Sequence, residues 1–188
     1  MNEASRAAHG DVLAFLDDDV VVQSNWLCAV QQFFEEKDYQ AAQGVIRIRP
    51  GGAETLVTPA LINRYRTIPN IDFGPQVENF HSLNGANFAV SRQALDIVGP
   101  FDEPLGPGAS GTSEDVDFAR RLRQKGFRIG YMREAIVYHS VDPMRLTEDY
   151  FKIHHKQQGR SRVLMNDRAL DAFSLISGAP PLNSPFTR

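Results

Sequence analysis

Cysteine is almost missing from these 188 residues: Cys28 stands alone. A lone cysteine cannot close an internal disulfide, which removes the small disulfide-framed secreted folds and points to an intracellular, cytoplasmic setting. Long apolar runs are missing as well, and none approaches the roughly 20 residues that cross a bilayer. No basic stretch followed by an apolar run and a small-residue cleavage site opens the chain. Peripheral contact at the inner face of a membrane is still compatible with this. Positive charge is in deficit, with 20 Lys and Arg against 23 Asp and Glu. The deficit is uneven: residues 1–144 hold 13 basic and 19 acidic side chains, whereas residues 145–188 hold 7 and 4. An acidic body lacks the clustered cations that neutralise phosphates, which argues against a nucleic-acid-binding surface. The basic tail fits a solvated helix face or an anionic partner. No internal repeat is present.

What the chain does have is enough apolar residue, 42%, to fill one sizeable core. The pattern along it is of α/β type. Glu3 to His9 read as a helix end, "DVLAFL" as a short buried strand, which in a parallel sheet needs a neighbour on each side although only part of a helix precedes it, and Ser24 as the cap of a helix. In that helix Trp26, Val30, Phe33 and Phe34 recur at helical spacing. "AAQGVIRIRP" returns to strand chemistry, and residues 50–82 form a variable excursion with one helical stretch, "ETLVTPALINRYR". "SLNGANFAV" reads as a strand, "SRQALDIVG" as a helix closed by Gly99, and "PFDEPLGPGASG" as a mobile loop. Thr112 or Ser113 can cap the next helix, which turns Val116, Ala119 and Leu122 inward and ends at Gly126. "FRIGYMREAIVYHS" is extended. Leu146, Tyr150, Phe151, Ile153, Val163 and Leu164 then suggest one or two amphipathic helices, and "GAPPLNSPFTR" a frayed end.

Three features carry chemistry. Asp17, Asp18 and Asp19 follow directly on five apolar residues, at the carboxyl end of a strand, where open α/β sheets bind ligands. In extended chain Asp17 and Asp19 point the same way and can converge on a divalent cation of the magnesium or manganese kind. As plain turn or cap residues they would need no ligand. Glu114 and Asp115 open a helix after the Gly-rich loop; a buried carboxyl beside a like charge can serve as a general base, and acids in a first turn equally serve the helix dipole. His139 ends the strand "AIVYHS", where a satisfied core histidine is the common outcome. His154 and His155 read as surface residues.

In this order, "HGDVLAFLDDD", "NGANFAVSRQALDIVGPFDE", "SEDVDFARRLRQKGFRIGY" and "AIVYHS" resemble the inverting nucleotide-sugar glycosyltransferases of family 2, with their GT-A fold. The likeness runs from about Ala4 to His139 and extends into "LTEDYFKIHHKQQGRSR". It implies a partial GT-A mixed sheet flanked by helices over residues 1–144 and a helical tail over 145–188. It implies further that the triplet is a DxD motif: Asp17 and Asp18 on the nucleotide side of the donor, with Asp17, Asp19 and His139 holding Mn2+ or Mg2+. Asp115 becomes the catalytic base and Glu114 an acceptor contact. Asn84, Gly85, Ala86 and Asn87 line the sugar end. The partners implied are a nucleotide-diphospho-sugar and a glycan, lipid-linked or other hydroxyl acceptor.

Two departures from the family stand out. Its usual opening strand, of the type "VSVVIPTYN", with the helix and strand that follow, is not in this sequence, so the chain resembles the carboxyl-terminal portion of a transferase. Homo-oligomerisation through the exposed sheet edge is then expected. Polysaccharide synthases carry Q-x-x-R-W; here Gln157 and Arg160 keep the spacing while Ser161 takes the tryptophan position, which favours transfer of single sugars. A haloacid-dehalogenase-like phosphotransferase also places an apolar strand before D-x-D, but gives the "SED" helix and His139 no task. A non-catalytic sugar- or partner-binding relative is the remaining alternative.

Overall fold

A computed structural model describes residues 1–50, 56–58, 60–61 and 67–165. The helix expected over 54–66 lies largely outside these residues, and the frayed end at 178–188 wholly so. Described in chain order are α1 (Asn2–Ala7), β1 (Val12–Leu16), β2 (Val20–Val22), α2 (Trp26–Glu36) and β3 (Ala41–Ile48). They continue with β4 (Asn79–Phe80), β5 (Asn87–Ser91), α3 (Arg92–Val98), α4 (Glu114–Gln124), β6 (Ile129–His139), a 3-10 turn (Pro143–Leu146) and α5 (Glu148–Leu164).

The strands form one mixed sheet in the order β1-β5-β3-β6-β2, with β4 paired to β6 off this path. Only β3 and β6 pair in parallel. β5 runs antiparallel to both β1 and β3, with Val12 opposite Ser91 and Ala41 opposite Val90. The reading of β1 as a fully buried parallel strand is therefore corrected: it ends the strand order, pairs antiparallel to β5, and has Leu13 buried but Leu16 40% exposed. An edge strand needs only one apolar face.

Period-2 alternation divides the core between the two faces of the sheet. Phe88 and Val90 of β5 point to α3 and α4, where Leu95, Phe118, Ala119 and Leu122 close over them. Phe15 stacks on Phe88 at 4.6 Å, and Phe101 meets Phe118 at 4.5 Å. Burying each of these rings stabilises the fold by roughly 2–3 kcal/mol. Ala89 points the other way, to Trp26 and Val30 of α2 along with Ala42 and Ile46. The result is a sheet with helices on both faces, as the GT-A resemblance implies.

Several local expectations shift by a residue or a turn. Asn25, not Ser24, stands at the start of α2 and makes no side-chain cap bond; the chain turns through Gln23, whose carbonyl accepts from Trp26 N–H at 2.9 Å. Ser113 precedes α4 with φ at +82°, which turns its side chain away from the cap bond. Val116 is 42% exposed, and Asp117 takes the inward position instead, held by Arg120 and Arg121 at 2.7 Å each. β5 starts only at Asn87, since residues 84–86 form a turn.

Candidate active site

The register of β2 against β6 builds the first half of the site. Val20 lies opposite His139, and Ser140 N–H donates to the Asp19 carbonyl at 3.1 Å. This brings the Asp19 carboxylate onto the imidazole, with Oδ1 3.2 Å from Nε2. Asp17 completes a trio whose candidate ligand atoms all lie within 4.8 Å of one another; Asp18 is not part of it. Partial burial, then the charge of Asp19, push the Asp17 carboxyl above the usual carboxylate range.

The tautomer of the neutral His139 ring follows from its neighbours. Nδ1 lies 2.6 Å from the Ser140 carbonyl oxygen, which can only accept, so Nδ1 carries the proton. In the neutral ring Nε2 is then a lone pair facing a carboxylate oxygen. Asp19 Oδ1 is buried and accepts no hydrogen bond, and the Arg145 guanidinium stands 3.9 Å from the other oxygen. Two acceptors at 3.2 Å, both shielded from solvent, are the arrangement a cation resolves. The donor set of two carboxylates and one imidazole fits a divalent metal ion.

The second half comes from the turn at Asn84–Asn87 and the start of α4. Asn84 Oδ1 accepts from Ala86 N–H at 3.1 Å, and Gln43 Oε1 accepts from Asn84 N–H at 2.7 Å. Gly85 N–H is left pointing at Asp115 Oδ2, 2.8 Å away, while Val116 N–H donates to Oδ1 at 2.7 Å. Burial, and secondarily the charge of Glu114, raise Asp115 to about 6. Burial likewise raises Glu114, whose carboxyl covers Gly106. A Cβ added at Gly85 would stand 3.5 Å from Asp17 Oδ1 and 3.8 Å from Asp115 Oδ2. Asp17 and Asp115 thus flank Gly85 from two sides, with Met1 Cε, 3.2 Å from the same Cβ position, packed against it.

Asn87, grouped with Asn84 on sequence grounds, does something else. It is fully buried, Nδ2 donating to the carbonyls of Val45 and Ala135 at 2.9 and 2.8 Å and Oδ1 accepting from Trp26 Nε1 at 3.0 Å. A register shift between Gly44 and Val45, opposite Met132 and Ile136, leaves the Ala135 carbonyl without a ladder partner. Gly44 makes the room, for a Cβ there would stand 2.2 Å from Asn87 Nδ2. The Asn87 side chain is spent in the core, where it anchors α2 behind the turn.

The loop before α4 is tied down, contrary to the mobile loop expected from its glycines. Gly111 N–H donates to the Gly106 carbonyl at 2.7 Å, and Ser161 of α5 donates to the Thr112 carbonyl at 2.7 Å. Ser161 is wholly buried and also meets Ser110 Oγ at 2.8 Å. Gln157 packs on Gly111, whose φ is +105°. His154 and His155, read as surface residues, are half-buried; His155 Nδ1 lies 3.0 Å from the Phe151 carbonyl oxygen. Sequence reasoning missed Gln43, Trp26 and the tie at Ser161. A glutamine inside an apolar strand was the one available signal for Gln43, since a buried amide must find partners.

The sequence profile of the family described as "Glycosyltransferase like family 2" matches residues 1–162. No curated protein matches the sequence. A solved structure titled "Crystal structure of GalNAc-T7 with UDP, GalNAc and Mn2+" is similar at 17% identity and a TM-score of 0.49. That likeness covers 74% of this chain and 29% of that one, so the chain spans less than a third of that protein's length. The profile runs through every site residue named above and into the helix that ties the loop: this chain belongs to the glycosyltransferase-like family 2.

Proposed function

We propose that this chain transfers a single sugar from a nucleotide-diphospho-sugar to an acceptor hydroxyl, with inversion and with dependence on a divalent ion. One observation carries the reading. Asp17, Asp19 and His139 cluster within 4.8 Å, and Gly85 stands between this cluster and the raised carboxyl of Asp115, its Cβ position 3.5 Å from Asp17 Oδ1 and 3.8 Å from Asp115 Oδ2.

Asp17, Asp19 and His139 would hold the ion, and when bound it supplies charge neutralisation for the departing diphosphate. The imidazole in the set favours Mn2+ over Mg2+, which prefers oxygen alone. Asp115 accepts the proton of the acceptor hydroxyl while that oxygen bonds to the anomeric carbon. The bond from this carbon to the diphosphate oxygen breaks, and its electron pair leaves with the nucleoside diphosphate. Entry and departure on opposite faces invert the centre. Hydrogen bonds from Gly85 and Val116 fix the Asp115 carboxylate in place and limit how far its pKa rises. Glu114 orients the acceptor, and Asp17 and Asp18 face the nucleotide. The Asn84–Asn87 turn contributes backbone groups and shape at the sugar end. Ser161, where processive relatives carry tryptophan, accords with single transfers.

The test is Asp115→Asn. Release of nucleoside diphosphate in the presence of acceptor should fall by about 10²–10⁴, while calorimetric titration still detects Mn2+ and nucleoside diphosphate. Retained turnover removes Asp115 from the role, and loss of both binding signals refutes the metal and donor assignment.

A further inference from the structure

Helix α5 keeps Tyr150 and Phe151 half-buried but leaves its aliphatic residues outside. Its fully buried residue is Ser161, while Ile153, Val163 and Leu164 are 57%, 80% and 53% exposed. At 3.6 residues per turn, Lys152, Ile153, Lys156, Arg160, Val163 and Leu164 fall on one face, and all six are exposed. Asp149 is the lone acid on this face and sits 3.8 Å from Lys152. Lys156 and Arg160 join no ion pair among the described residues. Met144, 65% exposed, adds a further apolar side chain just before the helix. A helix packed on a protein body ordinarily turns its aliphatic residues inward. One that holds Tyr150, Phe151 and Ser161 inward and still shows Ile153, Val163 and Leu164 among cations to the outside has a second apolar face to cover.

We propose that this outer face of α5 docks on an anionic lipid surface. Interleaved cations and aliphatics are what such a surface recognises, the cations by its charge and the aliphatics by its acyl boundary. Nucleic acid would satisfy the first set and leave the second in water. The charge distribution aims the contact: residues 1–144 carry a surplus of six acids, repelled by the same surface, and residues 145–188 a surplus of three cations. Residues 166–188 hold two Asp and two Arg, so they bring no net charge to neutralise the face. Because Ser161 on the inner side holds the Thr112 carbonyl, docking would place the loop ahead of Glu114 about 10 Å, one helix diameter, from the lipid. This goes beyond the transferase reading and does not depend on it.

The test is flotation of the full chain with vesicles of phosphatidylcholine alone, and with about one third phosphatidylglycerol added. The chain should float with the anionic vesicles only and detach at high salt, as screening requires. Lys156→Ala combined with Arg160→Ala should lower partitioning about thirtyfold, and Ile153→Ser with Val163→Ser should lower it at every salt concentration. All four positions are exposed, and an unchanged melting temperature shows that each double variant still folds. Equal flotation with both vesicle types, or none with the anionic ones, overturns the proposal. A concentration-dependent dimer that disappears in Ile153→Ser, without flotation, assigns the face to a second copy and overturns it equally.

Discussion

The backbone N–H of Gly85 donates to Asp115 Oδ2 at 2.8 Å, joining a turn between two strands to the first residues of a helix 30 positions later. Neither partner could form the site alone. The turn is held from beneath by Gln43, and the helix start from the side by the loop that Ser161 ties. Asp115 is thereby fixed beside Gly85, across which Asp17 lies, and backbone amides, those of Gly85 and Val116 and its own, hold its carboxyl.

In the proposed role of base, Asp115, with its carboxyl raised to about 6, must lose its proton before it can work. Turnover should therefore rise with pH along an acidic limb centred near 6 and level off above it. A pH profile of kcat/KM, at saturating metal, checks this. A limb near 4 would show a carboxyl that burial has not perturbed.

The same shift links folding to pH. Asp115 is raised from 3.8 to about 6 by burial and by Glu114, so between these values the folded chain holds a proton that the unfolded chain has released. Its contribution to stability is complete below pH 4 and is lost as pH rises through 6. Between pH 5 and 7.5 the metal-free protein should lose on the order of 1 kcal/mol more than Asp115→Asn does. Paired thermal melts in chelator give this difference of differences, which cancels any constant effect of the substitution.

Metal should reverse part of that loss. Saturating Mn2+ at a hundred times its dissociation constant should stabilise the fold by about 2.7 kcal/mol. Asp19→Asn removes the carboxylate charge, and His139→Gln removes the imidazole that faces it. Either variant should melt at a temperature that added Mn2+ no longer raises, and an undiminished rise in both would place the ion elsewhere.

Asn87 should matter to folding far more than its place beside the turn suggests. Asn87→Ala strands the Trp26 indole N–H and the carbonyls of Val45 and Ala135, all buried, at a cost of about 3 kcal/mol. Gly44→Ala should disturb the same network from the other side, since its new Cβ meets Asn87. Trp26 is the single tryptophan, so denaturation followed by fluorescence reports on this network. A cost under 1 kcal/mol in both variants would mean that water replaces the lost bonds.

Much of this was legible in the sequence because it was written in period and punctuation. The alternation of β5, the spacing of Trp26 and Val30, and Gly99 after α3 are local signals, and the structure carries each of them. The meeting of Asp17, Asp19 and His139 was legible only through the order of motifs, because a strand register, not a spacing, brings the distant histidine to the triplet. The core role of Asn87 was not legible: it depends on a missing Cβ at Gly44 and on a displaced carbonyl at Ala135, neither of which is adjacent to it in the chain. The tie between α5 and the loop was hidden for a related reason. Ser161 reads as a lost tryptophan until its hydroxyl is seen beside Ser110 and Thr112.

That hydroxyl should also act at a distance on the rate. Ser161 donates to the Thr112 carbonyl, two residues before Glu114 and just ahead of the left-handed Ser113, so it fixes the chain where it enters α4. Ser161→Ala leaves that carbonyl with two longer contacts, from Ser110 Oγ at 3.2 Å and Gly106 N–H at 3.4 Å, and should cost about 1 kcal/mol in a denaturant melt. The loosened loop shifts Glu114 and Asp115 while leaving Asp17, Asp19 and His139 on their strands. The split in kinetics follows from that separation: kcat should drop about tenfold, an order-of-magnitude expectation for misplacement of a base, with the KM for donor and the affinity for Mn2+ unchanged. A fall in stability with kcat intact would show that the tie serves the fold alone, because Gly85 and Val116 then suffice to hold the base.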